Sequence, residues 1–335
     1  ETVTSEVLNE THMLVGHNIK FDLLHMRNFA NAAYMDWVKG GGIVWDTQIV
    51  EYLLSGQSKM YPTLDYCSEK YGGTLKDDKI KEYWANGIDT GDIPQSELLP
   101  YLNHDVDNTD LVFQAQWELV DSLGMLPLVM TQMDALLALV EMEWNGLVLD
   151  IMGATSKQVT LEDRLYTLEK EILAAMERYL PKTLKAKLNP SSPRQLSALF
   201  FGGKLKCRKP TPVLDGDGQP IIYKSGIKKG MQKTKLEDYN CDVKGMGCEP
   251  QGDKGKGGDY STDDDVLKVL ARTSSYAGDV AKMMMEYRML SKDISTYYIG
   301  MRALVFPDGM IHPNFNQCST GTGRLSSSSP NAQNV

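Results

Sequence analysis

Short apolar runs alternate with amphipathic segments from Met13 to about Leu123. The runs MLVGHN and GIVW are typical of short buried strands. The three-to-four-residue apolar spacing of FDLLHMRNFANAAY, TQIVEYLL and YLNHDVDNTDLVFQAQWELVDSL is typical of helices. Strands that alternate with helices in this way indicate an α/β layer. We therefore predict an α/β fold for this part of the chain.

The region from Leu126 to Leu199 is predicted to be mainly helical. LVMTQMDALLALVEMEWN and SKQVTLEDRLYTLEKEILAAMERYL both repeat apolar residues at intervals of three and four. The first of these helices should end at Asn145-Gly146, because glycine readily ends a helix. A further short helix is predicted in SSPRQLSALFF, with Ser192 as its cap and Pro193 in its first turn.

A second helical pattern occupies the residues after 260. Ser261 and Asp264 have the spacing of a capping box at the start of STDDDVLKVL. A long helix is predicted from about Asp279 to Leu304. The run RALVFPDGMIHPNFNQ then predicts a hairpin that turns at the Pro-Asp-Gly sequence, since these residue types favour tight turns.

Residues 202–260 separate the two helical regions and have a different composition. They hold 12 lysines and arginines against 8 acidic residues, and 12 of the 29 glycines of the chain. The segment lacks helical periodicity, and IIYKSGIKKGMQKTKLE is its best candidate for a hairpin. A basic irregular insert of this length is either functional or simply a solvated excursion, and the sequence leaves both interpretations open.

Composition and charge exclude several classes of protein. The chain has 335 residues, of which 42% are hydrophobic and 24% charged, so it is neither fibrous nor mainly disordered, and two domains are expected. It contains neither a secretory signal nor a continuous apolar run of membrane-spanning length, so a cytoplasmic protein with no membrane partner is predicted. The net charge of −9 is unevenly distributed and therefore does not exclude a nucleic-acid partner.

The five cysteines are too few, and odd in number, for a disulfide framework. This pattern predicts reduced thiols in a reducing compartment. Cys207, Cys241 and Cys248 lie in the insert, where three thiolates are an alternative zinc site. No C-x₂-C pair supports that alternative.

Two acidic residues on separate elements suggest hydrolysis of a phosphodiester. Asp22 follows a predicted strand, and Asp105 follows Tyr101 by one helical turn. Carboxylates in such a pair are suited to a two-metal site for Mg²⁺ or Mn²⁺, with the tyrosine orienting the attacking water. The alternatives are that Asp22 caps its helix and that Asp105, Asp107 and Asp110 form a solvated face.

The order of these motifs resembles that of the family A DNA polymerases (DNA polymerase I-like enzymes). Asn18 to Asp22 and Tyr101 to Asp105 are similar to the second and third motifs of the family's 3′–5′ exonuclease. WDTQIVEYLL is similar to the family's strand and helix between those two motifs, and MEWNGLVLD to the junction where the polymerase part begins. LNPSSPRQLSALFF resembles the entry to the thumb, EYRMLSKDISTYY the returning helix of the thumb, and STGTGRLSSSSPNAQN the first polymerase motif. The resemblance extends from about Met13 to Val335, apart from the insert.

The resemblance implies a specific domain organisation. Residues 1–123 would form part of an α/β, ribonuclease H-like 3′–5′ exonuclease domain whose first strand is missing. Residues 124–335 would form part of the polymerase domain, namely a mainly helical thumb and the start of an α+β palm. The insert at 202–260 would lie in the thumb, where a processivity factor is a possible partner.

The resemblance also implies which residues act. Asp22, Tyr101 and Asp105 would be catalytic, and the two aspartates would bind metal. A copying enzyme must hold any sequence, and the minor groove offers acceptors at similar positions in all base pairs. Thumb cations would instead neutralise phosphates. The predicted DNA-binding residues are Asn18, Arg288, Lys292, Thr296, Tyr297, Gln317, Arg324, Asn331, Gln333 and Asn334. A serine-rich polar loop and a solvated helical face are the alternatives for the last motif and for the thumb cations.

Several family elements have no counterpart in this sequence. The Asp-x-Glu pair that begins the family's exonuclease does not occur, and the palm carboxylates would lie beyond Val335. We therefore expect an internal piece of a DNA polymerase with 3′–5′ proofreading, acting on primer-template DNA and deoxynucleoside triphosphates. A stand-alone 3′–5′ exonuclease and a non-catalytic DNA-binding module are the alternatives.

Overall fold

The computed structural model describes residues 2–74 and 79–334, and it divides the chain into two compact units. The first unit consists of Glu1–Leu149 and Ala303–Val335, and the second of Asp150–Arg302. This division by packing differs from the predicted domain boundary at residue 124, because the helix that follows that boundary shares the core of the first unit. In the described residues, no helix is long and apolar enough to span a membrane.

The first unit contains a short parallel sheet flanked by helices, which agrees with the predicted α/β alternation. Strand β1 (Met13–Gly16) pairs in parallel with β2 (Ile43–Asp46), with Met13 opposite Ile43. Its helices are α1 (Thr2–Glu10), α2 (Lys20–Phe29), α3 (Asn31–Lys39), α4 (Thr47–Leu54), α5 (Leu64–Tyr71), α6 (Lys79–Ala85), α7 (Gln95–Ser122) and α8 (Leu126–Asn145). The single helix predicted over FDLLHMRNFANAAY is divided between α2 and α3 at Ala30, which has φ −136°.

The core of the first unit surrounds the end of β2. Trp45 is fully buried, and its ring contacts the rings of Phe113 and Trp117 from α7. The apolar face of α8 contributes Met133 and Leu136 to the same core. Burial of these large side chains provides most of the driving force for packing α7 and α8 against the sheet.

Residues after 302 return to the first unit as short strands. Helix α8 ends at Gly146 as predicted, and the φ of +65° at this glycine turns the chain into β3 (Leu147–Val148). A Cβ atom there would lie 2.8 Å from the carbonyl oxygen of Ile311. β3 pairs with β6 (Met310–Ile311), and β7 (Asn314–Asn316) pairs with β8 (Ser326–Ser328); both pairs are antiparallel. The predicted Pro-Asp-Gly turn is present, since Phe306 N–H bonds to the Met310 carbonyl.

The second unit is a helical bundle that carries a long hairpin. Its helices are α9 (Ile151–Tyr179), α10 (Pro193–Phe201), α11 (Asp264–Ala271) and α12 (Tyr276–Asp293), and α12 continues into a π-helical segment, Ile294–Gly300. Ser192 caps α10 as predicted. The predicted capping box at Ser261 is wrong, because Asp263 caps α11 and Ser261 bonds to the Asp263 carboxylate.

The basic insert forms an extended antiparallel ribbon. β4 (Gly203–Pro212) and β5 (Thr234–Val243) pair along their whole length, with Gly203 opposite Val243. The hairpin predicted in IIYKSGIKKGMQKTKLE forms the outer end of this ribbon, where Tyr223 N–H bonds to the Met231 carbonyl. The ribbon is much longer than predicted because β4 lies outside that motif.

Two of the insert cysteines are joined to each other. Cys207 and Cys241 form a disulfide across β4 and β5, because the register places them diagonally opposite. The sequence predicted reduced thiols here, so this pairing is a difference from the expectation. It also removes two of the three thiolates of the alternative zinc site, while Cys67, Cys248 and Cys318 are free.

Candidate functional site

The turn that leads into Asp22 is held by a buried carboxylate from the neighbouring strand. Asp46 ends β2 and is only 2% exposed. Its carboxylate accepts the backbone N–H of Asn18 at 3.1 Å and that of Ile19 at 3.0 Å. Asn18 has φ +57°, a conformation that side-chain-bearing residues adopt rarely. The two hydrogen bonds therefore stabilise the turn in a fixed, unusual conformation.

The same carboxylate caps α4. It accepts the N–H of Gln48 at 2.8 Å and that of Ile49 at 3.3 Å, two of the donors that a helix N-terminus leaves unsatisfied. Burial raises the pKa of Asp46 to about 6, and the four backbone donors oppose this rise. Asp46 thus connects the β1–α2 turn to α4 through one side chain.

Asp22 lies in the first turn of α2 and is exposed. The alternative that it caps this helix does not hold, because Ile19 occupies the cap position and makes no side-chain capping bond. Partial desolvation of the carboxyl raises the pKa of Asp22 above its ordinary value, while its own backbone N–H and His25 oppose the shift. The side chain is accessible and is held at the start of an anchored helix.

Lys20, two residues earlier, fixes α2 to the returning strands of the same unit. Its ammonium lies 2.5 Å from the buried carboxylate of Glu143 and 2.8 Å from Asn314 Oδ1, and it also bonds to the Phe315 carbonyl. The Phe315 N–H donates to the same Glu143 oxygen at 2.6 Å. This network makes the position of α2 depend on residues that are nearly 300 positions away in sequence.

A cavity of about 300 Å³ opens beside this network. Asn18, Gln48 and Gln317 contribute amide groups to its wall, and Phe21 and Tyr61 contribute aromatic rings. Amides that hydrogen-bond and rings that stack are the groups that recognise a nucleobase. Phe21, which lines the cavity, directly precedes the candidate catalytic residue Asp22 in the chain.

The second candidate motif lies on α7. Tyr101 is half-buried and its ring meets the Trp84 ring edge to face, with centroids 6.0 Å apart. Asp105 is half-buried as well, whereas Asp107 and Asp110 are exposed. The solvated-face alternative therefore describes Asp107 and Asp110 but not Asp105.

The described residues do not fit a two-metal site. Asp22 and Asp105 lie on different helices, α2 and α7. Across residues 2–74 and 79–334, no group of three or more His, Cys, Asp or Glu side chains is arranged to hold a metal ion. Two carboxylates are too few to hold two ions, which is consistent with the Asp-x-Glu pair being absent from the sequence.

The predicted DNA-binding residues of the thumb differ in how exposed they are and in whether they are already bonded within the protein. Arg288 donates to the Thr262 carbonyl at 2.7 Å and lies 3.4 Å from Asp264, so its charge is used within the second unit. Lys292 is exposed and has no ion pair in the described part of the chain. Thr296 and Tyr297 lie in the π-helical segment; Thr296 is exposed and Tyr297 is half-buried.

The C-terminal motif forms a compact polar loop that ends in a short helical turn. Gln317 donates to the Gln132 carbonyl and to its side-chain oxygen, both at 3.0 Å. Gln333 donates to the Leu325 carbonyl at 2.9 Å, and the Asn331 side chain accepts from Ser327 and from the backbone of Gln333. The side chain of Asn334 lies outside the described residues.

Arg324 differs from its neighbours in this loop. It is exposed, and in residues 2–74 and 79–334 its guanidinium makes neither an ion pair nor a hydrogen bond. Its backbone carbonyl is held by the Thr320 hydroxyl at 2.9 Å. The backbone of Arg324 is therefore held in place, while its guanidinium is exposed to solvent.

Sequence reasoning missed Asp46 and Glu143, the two buried acids that position the first motif. The signal for Asp46 was its place between an apolar strand and a helix, which is typical of a capping residue. The signal for Glu143 was an acid within the apolar pattern of α8. Neither signal predicts the partner, because Asn18, Lys20 and Phe315 are distant in sequence.

Comparisons with known proteins match this chain to DNA polymerases. Residues 233–335 match the family model for DNA polymerase family A. DNA polymerase I of Pseudomonas aeruginosa is 25% identical over 96% of this chain and 29% of that protein. The DNA polymerase of Bacillus phage SP01 is 26% identical over 95% of this chain and 33% of that protein. The chain thus spans about a third of the length of these relatives.

A solved structure shows a related fold. The POL domain of Pol1 from M. smegmatis, in complex with DNA primer-template and dNTP, aligns with a TM-score of 0.54 at 20% identity, over 88% of this chain and 39% of that chain. The sequence matches extend over both compact units, and the structural match covers most of the same residues. The chain is thus similar to DNA polymerase family A over residues 233–335, and to proteins named DNA polymerases along nearly its whole length.

Proposed function

We propose that the protein containing this chain is a DNA-directed DNA polymerase that proofreads with a 3′–5′ exonuclease during bacterial or phage DNA replication. One observation carries the proposal: the segment that matches the family model ends in a loop that exposes Arg324, whose guanidinium has no ion pair or hydrogen bond among the described residues. Relatives along nearly the whole chain are named DNA polymerases, which supports the same assignment. Its substrates would be primer-template DNA and deoxynucleoside triphosphates.

The loop around Arg324 would contact the minor groove near the primer terminus. Purine N3 and pyrimidine O2 are acceptors in every base pair, so a single arginine donor can test pair geometry without reading sequence. Gln317, Asn331 and Gln333 are bonded within the unit, so their first role is to shape the loop. Lys292 would neutralise a phosphate from the thumb.

The exonuclease part of the proposal rests on Asp22, Tyr101 and Asp105. In the longer protein the two aspartates would supply part of the ligand set for Mg²⁺ or Mn²⁺, and Tyr101 would orient the attacking water. The amide- and aromatic-lined cavity supports this placement, because its wall includes Asn18 and Phe21, which belong to the same motif as Asp22. The described residues alone lack enough ligands, so we expect this chain by itself to degrade no DNA.

The basic ribbon of the insert would add a contact outside the active centres. Lys224, Lys228, Lys229 and Lys233 at its outer end are exposed and have no ion pair among the described residues. In the middle of the ribbon, by contrast, Arg208 lies 3.0 Å from Asp238. Unpaired lysines at the tip suit either the phosphates of DNA or an acidic processivity factor. Deletion of residues 204–258 should weaken processivity without changing single-nucleotide addition.

Primer-extension and 3′–5′ exonuclease assays on the longer protein test the proposal. Asp22→Ala or Asp105→Ala should abolish degradation and leave primer extension nearly intact, since the polymerase contacts lie on other residues. Asp107→Ala is a matched control, because Asp107 is an exposed acid on the same helix as Asp105. Loss of extension with intact degradation would overturn the assignment.

The two alternatives predict different results in the same assays. A stand-alone 3′–5′ exonuclease would degrade primers and never extend them, with or without dNTPs. A non-catalytic DNA-binding module would bind duplex DNA and do neither, even in the longer protein.

A further inference from the structure

The C-terminal end of helix α4 bonds to the loop that carries Arg324. Tyr52 lies in the last turn of this helix and is only 2% exposed. Its hydroxyl donates a hydrogen bond to the Thr320 carbonyl at 2.6 Å, although the two residues are 268 positions apart in sequence. Both residues belong to the first unit. We call residues 318–324 the Arg324 loop.

Hydrogen bonds continue from Thr320 to the backbone of Arg324. The Thr320 hydroxyl donates to the Arg324 carbonyl at 2.9 Å, and the Gly323 N–H donates to the Thr320 carbonyl at 3.4 Å. The Thr320 carbonyl oxygen has two lone pairs, so it can accept from Tyr52 and from Gly323 together. The conformation of the Arg324 backbone therefore depends on Tyr52 through one intermediate residue.

The residues that follow α4 hold the Arg324 loop at two further points. Gln57 has φ +65°, and its N–H bonds back to the Tyr52 carbonyl at 3.0 Å. Gly323 has φ +71°, and a Cβ atom there would lie 2.8 Å from Gln57 Nε2. The Tyr61 N–H donates to the Cys318 carbonyl at 3.3 Å. The loop is thus seated against the end of α4 along its whole length.

Helix α4 is anchored independently of this loop. Asp46 caps its N-terminus by accepting the Gln48 N–H at 2.8 Å. Val50, in the middle of the helix, is fully buried in the core of the first unit. Residues 321–324 of the loop are exposed and have no such core contacts. The Tyr52 hydroxyl is therefore a donor on a packed helix that restrains an exposed loop.

We infer that Tyr52 is a positioning residue for Arg324. By holding the Thr320 carbonyl, its hydroxyl keeps the loop in the conformation from which the Arg324 guanidinium meets the minor groove at the primer terminus. The inference rests on the proposed polymerase function, and it gives Tyr52 no contact with DNA. It also assigns a role in DNA synthesis to a residue in the segment 1–123, which the sequence predicted to serve the exonuclease.

A positioning role has kinetic consequences that differ from those of a DNA contact. An oriented donor loses little conformational freedom when substrate binds and is ready for the transition state. Loss of the Tyr52 hydroxyl leaves the charge and exposure of Arg324 unchanged. It should therefore slow primer extension without weakening the affinity for duplex DNA. It should also reduce the preference for matched over mismatched primer ends, because matched pairs share the positions of their minor-groove acceptors.

Two variants break successive hydrogen bonds of this connection. Tyr52→Phe removes only the hydroxyl from a buried ring, and Thr320→Val removes the hydroxyl that bonds to the Arg324 carbonyl. Tyr71→Phe is the matched control, because its hydroxyl donates to the buried Glu51 carboxylate at 2.7 Å and lies on α5. Circular dichroism checks that each variant folds.

Two measurements are made on these variants. Amide hydrogen exchange of residues 318–325 is followed in the 335-residue chain. Single-turnover primer extension, from matched and mismatched ends, and duplex affinity are measured in the longer protein. Tyr52→Phe is also combined with Arg324→Ala, since a residue that acts through Arg324 has no further effect once the guanidinium is gone.

Tyr52→Phe and Thr320→Val should each slow extension from a matched end about 2- to 10-fold, the loss expected for one neutral hydrogen bond. Both should accelerate amide exchange in residues 318–325, lower the ratio of matched to mismatched extension and leave duplex affinity unchanged. Tyr71→Phe should change none of these quantities. In the Arg324→Ala background, Tyr52→Phe should slow extension no further.

Unchanged exchange of residues 318–325 in Tyr52→Phe would overturn the inference, whatever the activity of the longer protein. Equal losses of extension in Tyr52→Phe and Tyr71→Phe would also overturn it, because they would reveal a general loss of stability. A full additional loss in the Arg324→Ala background would exclude action through Arg324. A longer protein that extends no primer at all would overturn the proposed function, and with it the role of Tyr52.

Discussion

The carboxylate of Asp46 accepts the backbone N–H of Asn18 at 3.1 Å, across 28 residues of chain. This bond joins the end of β2 to the turn after β1, and the same carboxylate caps α4. Asp22 follows the turn immediately, so its position depends on a residue outside its own motif. The relationship makes Asp46 a positioning residue for the proposed exonuclease.

Asp46→Ala should destabilise the first unit and misplace the turn. It removes the cap of α4 and leaves the N–H groups of Asn18 and Ile19 without an acceptor, so the free energy of unfolding should fall by about 2–4 kcal/mol. Urea unfolding of the chain measures this change. Asp46→Asn keeps one acceptor oxygen and should lose less; an equal loss in both variants would contradict the hydrogen-bonding role.

Lys20→Met should be more destabilising than the paired substitution Lys20→Met with Glu143→Gln. The single change leaves a buried carboxylate without its cation and should cost about 3–5 kcal/mol. The glutamine removes that charge and still offers an oxygen to the Phe315 N–H, so stability should partly recover. A double-mutant cycle by urea unfolding measures the coupling, and strict additivity would show that the pair is not coupled.

Arg288 and Lys292 lie one turn apart on α12 but should give different phenotypes. Lys292→Ala should leave stability unchanged and lower the salt dependence of duplex binding by about one phosphate contact. Arg288→Ala should instead lower the free energy of unfolding by about 1–2 kcal/mol, because it frees the Thr262 carbonyl and Asp264. Thermal unfolding and a salt titration of duplex affinity distinguish the two. Identical salt slopes for Lys292→Ala and the unsubstituted chain would remove Lys292 from the DNA contacts.

If the proposed function holds, Arg324→Ala in the proposed polymerase should reduce primer extension about equally for all four terminal base pairs. Loss of one charged hydrogen bond corresponds to about 1.5–3 kcal/mol, or roughly ten- to a hundredfold in rate. Arg324→Lys keeps the positive charge but loses the planar guanidinium. We therefore expect it to restore the affinity for DNA more fully than the rate of primer extension. A defect confined to one base pair, or one that disappears at saturating DNA, would contradict a minor-groove role.

The Phe306–His312 hairpin should be most stable at mildly acidic pH. Partial burial alone would lower the pKa of His312, but the Glu143 carbonyl at 2.7 Å and the Asp308 carboxylate at 3.0 Å outweigh it and raise that pKa. The pKa of Asp308 is lowered, first by the Met310 N–H and then by His312.

Because the pKa of His312 is higher in the folded protein than in the unfolded chain, it contributes stability at pH values below the unfolded pKa. This contribution is lost as the pH rises through the folded pKa. The lowered aspartate pKa contributes stability that is present above its unfolded value and lost as pH falls. Both contributions are therefore present between about pH 4 and 6.5. An NMR titration of His312 measures the effect, and Asp308→Asn should move its pKa downward. No change in that variant would show that the ion pair is absent in solution.

The sequence by itself predicted those helices, caps and turns that form through interactions between residues close together in the chain. The apolar periods of α8 and α9, the Ser192 cap and the Pro-Asp-Gly turn were all predictable, because their physical causes lie within a few residues. The motifs around Asp22, Tyr101 and Arg324 indicated the polymerase family for the same reason, since each is a continuous run. Where two local signals competed, as at Ser261 and Asp263, the sequence predicted the wrong cap.

Only the tertiary structure decided which charges are available for function. Arg288 and Lys292 share a helix face in the sequence pattern, yet one is bonded to the Thr262 carbonyl and the other is exposed. Glu143 and Lys20 are separated by 123 residues and become partners only when α2 packs on α8. Hydrogen bonds and ion pairs between distant residues depend on packing, and no local periodicity records them. The sequence therefore determines which chemical groups each motif contains. The fold determines where those side chains lie and which charged groups are left available to bind a ligand.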